Sequence, residues 1–450
     1  MTKPYLLQKY LQKYSTADKW NIVAGDTASI SLVVVIPAYA EKETLLSTLE
    51  SLAQNPSSSL RNSFVLCVIN NKKSSPPEVK MNNQGTLEYL DLLVNLRNPE
   101  QLDLKRELKE KLKFISEAGL RIGYVDASSP GCEFSDNDGG VGLARKTGMD
   151  MALNLLSSST SSKKLILCLD ADTLVQKNYL SSIENSFQKK VKTAIVAYEH
   201  QEAGTDEGKA AIYCYEIFLR YWILGLKYAR SPYAFHSIGS TMVCTADAYL
   251  AVRGMNRRRA GEDFYFLNKL AKIGGINYIK ETRVFPSARA SFRVPFGTGR
   301  RIQRFLNRER EEYILYDPRI FEILAKWLQL MEKPLQYDEK DILNKANAIH
   351  PSLSSFLTAY QFEDVSKRIR RNVKNKDALI SSFHCWFDGF KTLKLINYLT
   401  REFYPPVDMF KAVESILEMR RIPVPEFFRR ANNLELDGQR KYVQYLREIT

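Results

Sequence analysis

Four short apolar runs, each ended by a polar residue or a proline, constrain this chain more than any other feature. Leu32 to Ile36 reads Leu-Val-Val-Val-Ile and stops at Pro37. Phe64 to Ile69 stops at Asn70-Asn71, Leu120 to Val125 at Asp126, and Leu165 to Leu169 at Asp170-Ala171-Asp172. A continuous run, rather than an alternating one, is the pattern of a strand buried on both faces, as in parallel sheets. Ala194 to Ala197 predicts another strand. Segments with helical spacing separate the runs, one with Leu45, Leu46, Leu49 and Leu52, another over Leu143 to Leu156. Repeated strand–helix–strand order predicts an α/β core with a mostly parallel sheet flanked by helices.

Around this core the chain changes character. Residues 1–28 read as a helical lead-in. The stretch 76–118 reads as an insertion, with helical patterning from Leu87 to Ile115 broken at Pro99. Residues 208–230 form an aromatic, apolar helix suited either to a core or to a membrane interface. From about residue 302 the sequence is rich in Leu, Lys, Glu and Arg, with breakers at Pro405, Pro406, Pro423 and Pro425. The expected organisation is therefore a lead-in over 1–28, an α/β domain over 29–305 and a mainly α-helical C-terminal region over 306–450.

The formal net charge of +14 favours phosphate-bearing partners, whether nucleotides, nucleic acid or an anionic membrane face. Six scattered cysteines without a Cys-x-x-Cys pair predict a reducing compartment and no structural zinc site. Met1 to Trp20 lacks the apolar stretch of a secretory signal, and no run of apolar residues is long enough to span a bilayer. The expected location is cytoplasmic, with peripheral contact at the inner membrane face left open.

In open α/β sheets ligands bind outside the carboxyl ends of the strands, so the four run ends predict one shared edge. Asp170 and Asp172, one residue apart, can hold a hard divalent cation such as Mg²⁺ or Mn²⁺. Glu262-Asp263 begins an apolar helical pattern, where carboxylates either cap the helix or present a general base. Gly239-Ser240-Thr241 leads into a strand, and its glycine permits close approach to the backbone. Arg289 to Arg310 is the basic centre, from which Arg300 or Arg301 could reach a diphosphate. His236 is the one histidine near these segments, either a contact to ligand or acceptor or a structural residue.

Taken together, these residues resemble a family 2 glycosyltransferase of the GT-A fold over about residues 30–305. The elements occur in order as Val33 to Glu41, Gly142-Leu-Ala-Arg-Lys-Thr-Gly148, Asp170-Ala-Asp172-Thr173, Gly239-Ser-Thr241 and Gly261-Glu-Asp263. The resemblance implies a Rossmann-like sheet and an inverting transfer of a sugar from a nucleotide-diphosphate donor to an acceptor hydroxyl. It implies that Pro37, Ala38, Tyr39 and Glu41 line the nucleotide pocket, with Glu41 near the ribose or base, Asp126 a candidate for base contact, Asn70 among the residues that bind the nucleotide-sugar and Arg145 near the nucleotide or diphosphate. Asp170 would contact ribose or the metal's water shell, Asp172 would ligate Mn²⁺ or Mg²⁺, and Asp263 would be the base with Glu262 beside it. The acceptor would be a glycan or a lipid-linked molecule, and no nucleic acid is expected. The acidic stretch that the family often carries after its second strand is replaced here by Asn70-Asn71-Lys72-Lys73-Ser74. The Gln-x-x-Arg-Trp motif of some membrane relatives survives only as Arg301-Ile-Gln-Arg304-Phe305, which argues against a processive polymer synthase.

Two other readings stand beside this one. A sugar-phosphate nucleotidyltransferase uses a related α/β core, but the Gly-rich activating loop expected after the first strand is missing. A non-catalytic basic protein bound to membrane or nucleic acid would use the charge and leave the ordered acidic pairs unexplained.

Overall fold

The computed structural model describes residues 3–96, 104–187, 190–291, 297–333, 335–373, 375–430 and 435–450. The expected break at Pro99 lies outside them. The chain divides into two compact units. The first comprises 1–201, 237–288 and 293–297, and the second 202–236, 289–292 and 298–450.

The first unit is built on a nine-stranded sheet. In chain order its strands are β1 Ile22–Ala24, β2 Leu32–Ala38, β3 Ser63–Asn70, β4 Ile122–Ala127 and β5 Leu165–Cys168. They continue with β6 Leu174–Val175, β7 Thr193–Tyr198, β8 Met242–Thr245 and β9 Asn277–Phe285. The spatial order is β1-β4-β3-β2-β5-β8-β7-β9-β6. The central four, β4, β3, β2 and β5, are all parallel. Every residue of β2 and β3 is buried, as expected of strands covered on both faces. This is the α/β, mostly parallel, helix-flanked architecture that the apolar runs predict.

The register sets the working edge. Ala38 pairs with Ile69, Asn70 with Ala127, and Val35 with Cys168. The loops that follow these four strands therefore leave the same edge of the sheet. Pro37 lies inside β2 rather than ending it. Proline has no N–H for a ladder, and the pairing to β5 is already over at Val35.

The lead-in is helical over Lys3–Tyr14 and then adds β1, whose short β-branched stretch pairs antiparallel with β4 at the sheet edge. The stretch read as an insertion contains two helices, Pro77–Val94 and Arg106–Glu117.

The second unit is mainly helical, with one two-stranded ribbon of Ile314–Leu315 and Val407–Asp408. The aromatic helix expected near 208–230 runs Asp206–Tyr228 and is a core helix of this unit. Its Glu216 is fully buried and accepts from Arg220 and Arg447, so the charge is compensated where water is excluded. Trp327 packs edge-on against Phe362, Phe383 and Phe387. Among the described residues no helix is long and apolar enough to cross a membrane.

Candidate active site

The acidic turn after β5 is held from two sides. Thr48 Oγ1, on the helix Lys42–Ala53, donates to the Ala171 carbonyl at 3.0 Å. Gln201 Nε2 donates to the Asp172 carbonyl at 2.9 Å. The Thr173 N–H closes the turn on the Asp170 carbonyl at 3.1 Å. With their backbone fixed, the half-buried Asp170 and Asp172 side chains stand at the sheet edge.

Arg145 organises what surrounds them. It lies in the first turns of the helix Val141–Ser157 and is 3% exposed. Its Nε donates to Glu262 Oε1 at 3.0 Å, its Nη1 to the Gly239 carbonyl at 3.2 Å, and its Nη2 to Asp170 Oδ1. Burial alone would weaken its charge, yet Asp170 and Glu262 hold the guanidinium more firmly protonated than usual. A Cβ on Gly239 would collide with that guanidinium, so the close approach this glycine permits is taken by Arg145. The neighbouring Ser240 hydroxyl is buried and has no hydrogen-bond partner among the described residues.

Glu262 and Asp263 open the helix Glu262–Gly274 but have different surroundings. Glu262 is buried and turned to Arg145. Asp263 is half-buried, and Phe264 N–H donates to its Oδ1 at 2.7 Å. Loss of solvent and the adjacent Glu262 charge push the Asp263 carboxyl up to about 7, against the opposing pull of that N–H and of Arg145. A carboxylate poised near neutrality can take a proton from a hydroxyl.

The nucleotide-side candidates fall in two groups. Pro37 and Ala38 are buried within β2, with the Ala38 carbonyl accepting from Asn70 Nδ2 at 3.0 Å. Glu41 is buried and accepts from Thr44 Oγ1 at 2.6 Å. Asp126 Oδ1 accepts from the Ser128 and Ser129 N–H groups at 2.9 Å and so shapes its own turn. Tyr39 remains half-exposed at the edge, its hydroxyl 3.5 Å from Ser75 Oγ.

Arg300 and Arg301 belong to the second unit, as does the buried His236. There Arg300 pairs with Glu309 at 2.8 Å. Arg301 pairs with Glu312 at 3.1 Å and lies over Phe218. Arg293, in the same basic centre, lies outside the described residues.

Three contributors escaped sequence reading. Asn83 accepts from the Ala40 N–H at 2.9 Å and donates to the Asn70 carbonyl at 3.0 Å and to Asn71 Oδ1 at 2.9 Å. It thereby ties the ends of β2 and β3 together from the helix Pro77–Val94. Thr48 and Gln201 do the same for the acidic turn. No motif marks them, since their role depends on which loops the fold brings close.

Among the described residues no three His, Cys, Asp or Glu side chains converge on a metal position. Asp170 and Asp172 are the pair of oxygen donors at this edge, with Asp170 Oδ1 also accepting from Arg145. That donor set fits Mg²⁺ or Mn²⁺, which bind through one or two carboxylates and keep waters and substrate phosphates. A separate cleft of about 360 Å³ opens between Lys42, Lys80, Gln84, Ser128 and Glu133, and none of the acidic residues of the site lines it.

No known protein-family model matches the chain, and no curated protein does. Among solved structures it is similar to S. aureus TarS 1-349, at 11% identity over 94% of this chain and 92% of that one, with a TM-score of 0.34. The same protein in complex with UDP-GlcNAc matches at 13% identity, over 94% and 93%, with a TM-score of 0.33. The mannosyltransferase PcManGT from Pyrobaculum calidifontis, in complex with GDP-Man and Mn²⁺, matches at 11% identity, over 99% and 92%, with a TM-score of 0.33.

Proposed function

We propose that this protein is an inverting, divalent-metal-dependent glycosyltransferase. It would move a sugar from a nucleotide-diphosphate donor to a hydroxyl of a glycan or lipid-linked acceptor. One observation carries the reading. Arg145 joins three segments distant in sequence, at Asp170, Gly239 and Glu262, and the residue after Glu262 is a carboxylate poised near neutral pH. Solvated turns and helix caps, the plain alternative for such acids, would not converge on one buried cation.

In this reading Asp263 removes the proton of the acceptor hydroxyl. The oxygen attacks C1 of the sugar from the face opposite the diphosphate, and the C1–O bond to the diphosphate breaks with inversion. Asp172 and Asp170 would hold Mn²⁺ or Mg²⁺, which supplies charge stabilisation to the departing diphosphate when bound. Glu262 and Arg145 are positioning residues, fixing the helix start that carries Asp263 and the turn that carries Asp170. Tyr39 and the loop held by Asn83 would face the nucleotide.

The test is a melting-temperature panel of UDP, GDP, CDP and dTDP with and without Mn²⁺, on wild type and Asp172→Ala. A ligand that binds the native state raises the melting temperature by mass action. One nucleotide should stabilise wild type in the presence of metal and lose that effect in Asp172→Ala. Absence of a shift with every nucleotide would count against the donor site.

A further inference from the structure

The lead-in helix Lys3–Tyr14 reaches a buried carboxylate on the helix that carries Arg145. That carboxylate is Asp150, wholly removed from solvent and one turn beyond Lys146. The Tyr10 hydroxyl donates to Asp150 Oδ1 at 2.6 Å and accepts from Lys146 Nζ at 2.9 Å. The Tyr249 hydroxyl donates to the same Oδ1 at 2.7 Å. The Thr16 N–H donates to Oδ2 at 2.9 Å, and Lys146 pairs with that oxygen at 3.0 Å. Burial and the Asp150 charge hold the Tyr10 phenol protonated, so it stays a donor. A segment that only covered apolar surface would have no need to complete the shell of a carboxylate taken out of water.

The same hydroxyl meets a second segment of the site. Gly254 has φ +69°, and a Cβ there would collide with the Tyr10 hydroxyl. Glycine is thus required twice, by the left-handed backbone and by the phenol. Lys269 Nζ donates to the carbonyls of Val252 and Gly254 and so holds this segment against its own helix. That helix is Glu262–Gly274, whose first two residues are Glu262 and Asp263. Asn256 Nδ2 adds a 3.0 Å bond to the Glu262 carbonyl. Tyr10 therefore touches both the helix of Arg145 and the segment that leads to Asp263. The same two helices meet again at the site, where Arg145 Nε and Glu262 Oε1 are 3.0 Å apart.

We propose that Tyr10 is a positioning residue of the site, which acts through Asp150 and Gly254 to keep the Arg145 helix and the Asp263 helix in register. The role of that register in transfer rests on the glycosyltransferase reading above. A helix shifts as a unit, and close-packed interiors pass small shifts on rather than absorb them. Asp150 is five residues from Arg145, about 7.5 Å along the helix axis. Slippage at Asp150 therefore moves the guanidinium that holds Asp170, Gly239 and Glu262 together.

Full-length wild type, Tyr10→Phe and Asn83→Asp are compared by amide hydrogen exchange without ligand. Tyr10→Phe keeps the ring that packs against Tyr14 and Tyr249 and removes only the hydroxyl. Asn83→Asp loses buried hydrogen bonds outside this network and controls for general destabilisation. Tyr10→Phe should speed exchange about tenfold or more in peptides covering 143–152 and 262–270, the scale of one lost hydrogen bond to a charged group. Asn83→Asp should leave both peptides near the wild-type rate. Faster exchange confined to the lead-in, or an equal change in Asn83→Asp, would overturn the proposal. The panel of UDP, GDP, CDP and dTDP with Mn²⁺ is run on the same samples. Tyr10→Phe should need several times more nucleotide for a given melting shift, a readout that lower stability alone does not move. An unchanged nucleotide requirement would also overturn the proposal, because the linkage would then stop short of the site. Coupled exchange with no nucleotide shift in wild type would sink the donor reading alone.

Discussion

Arg145 Nε lies 3.0 Å from Glu262 Oε1, and both side chains are almost wholly removed from solvent. The two residues are separated by 117 positions in the chain. A buried ion pair adds little net stability when both partners are present, but removing one strands the other. Arg145→Ala should therefore destabilise the fold by about 3–5 kcal/mol, read from denaturant unfolding. Arg145→Lys keeps a charge but cannot reach Glu262, Gly239 and Asp170 together. It should retain most of the stability and still lose transfer activity. Full activity in Arg145→Lys would show that its three-way geometry is dispensable.

In the proposed mechanism Asp263 sets the pH dependence. Its carboxyl is raised to about 7, and only the ionised form can act as base. Transfer should rise with pH and level off above about 7, and Asp263→Asn should lower kcat by about 10²–10⁴-fold. The stability sign runs the other way. A carboxyl raised above its ordinary value binds its proton more tightly in the folded state. Its ionisation therefore costs stability as pH climbs from about 4 through 7. Asp263→Asn should be more stable than wild type at pH 8 and lose that advantage near pH 4. Unfolding curves at the two pH values decide it.

Asp172→Ala should leave the backbone of the acidic turn in place, because that turn is held through carbonyls by Thr48 and Gln201. It should abolish the part of nucleotide stabilisation that depends on metal. At a ligand concentration one hundred times Kd that part is worth about 2.7 kcal/mol in wild type. Metal-dependent stabilisation that survives the substitution would place the cation elsewhere.

Asn83→Asp tests the link between β2 and β3. A carboxylate can still accept from the Ala40 N–H but cannot donate to the Asn70 carbonyl or to Asn71 Oδ1. The loss should be about 1–3 kcal/mol of stability, the cost of leaving buried acceptors unmade. Nucleotide affinity should fall with it if the loop at Tyr39 faces the donor. Unfolding and nucleotide titration on one sample separate the two effects.

The strands were legible because burial on both faces leaves a local mark. Leu32 to Ile36 and Phe64 to Ile69 are unbroken apolar runs, and both became fully buried central strands. The sharing of one sheet edge by Ala38, Asn70, Ala127 and Cys168 follows from parallel pairing, which the alternation with helices already implied. The lead-in was less legible. Ile22–Ala24 is too short to show a period, and its place on the sheet depends on an exposed edge of β4.

The candidate site divides the same way. The sequence by itself determined the carboxylates at Asp170, Asp172, Glu262 and Asp263, and their placement beside a strand end and a helix start, because these are short-range patterns. Only the tertiary structure decided that Glu262 turns to Arg145 while Asp263 is pushed towards neutrality. It also decided that the space at Gly239 is filled by a guanidinium. Arginine at position 145 and glutamate at position 262 carry no local sign of each other. Their pairing arises from which helices the sheet topology brings side by side.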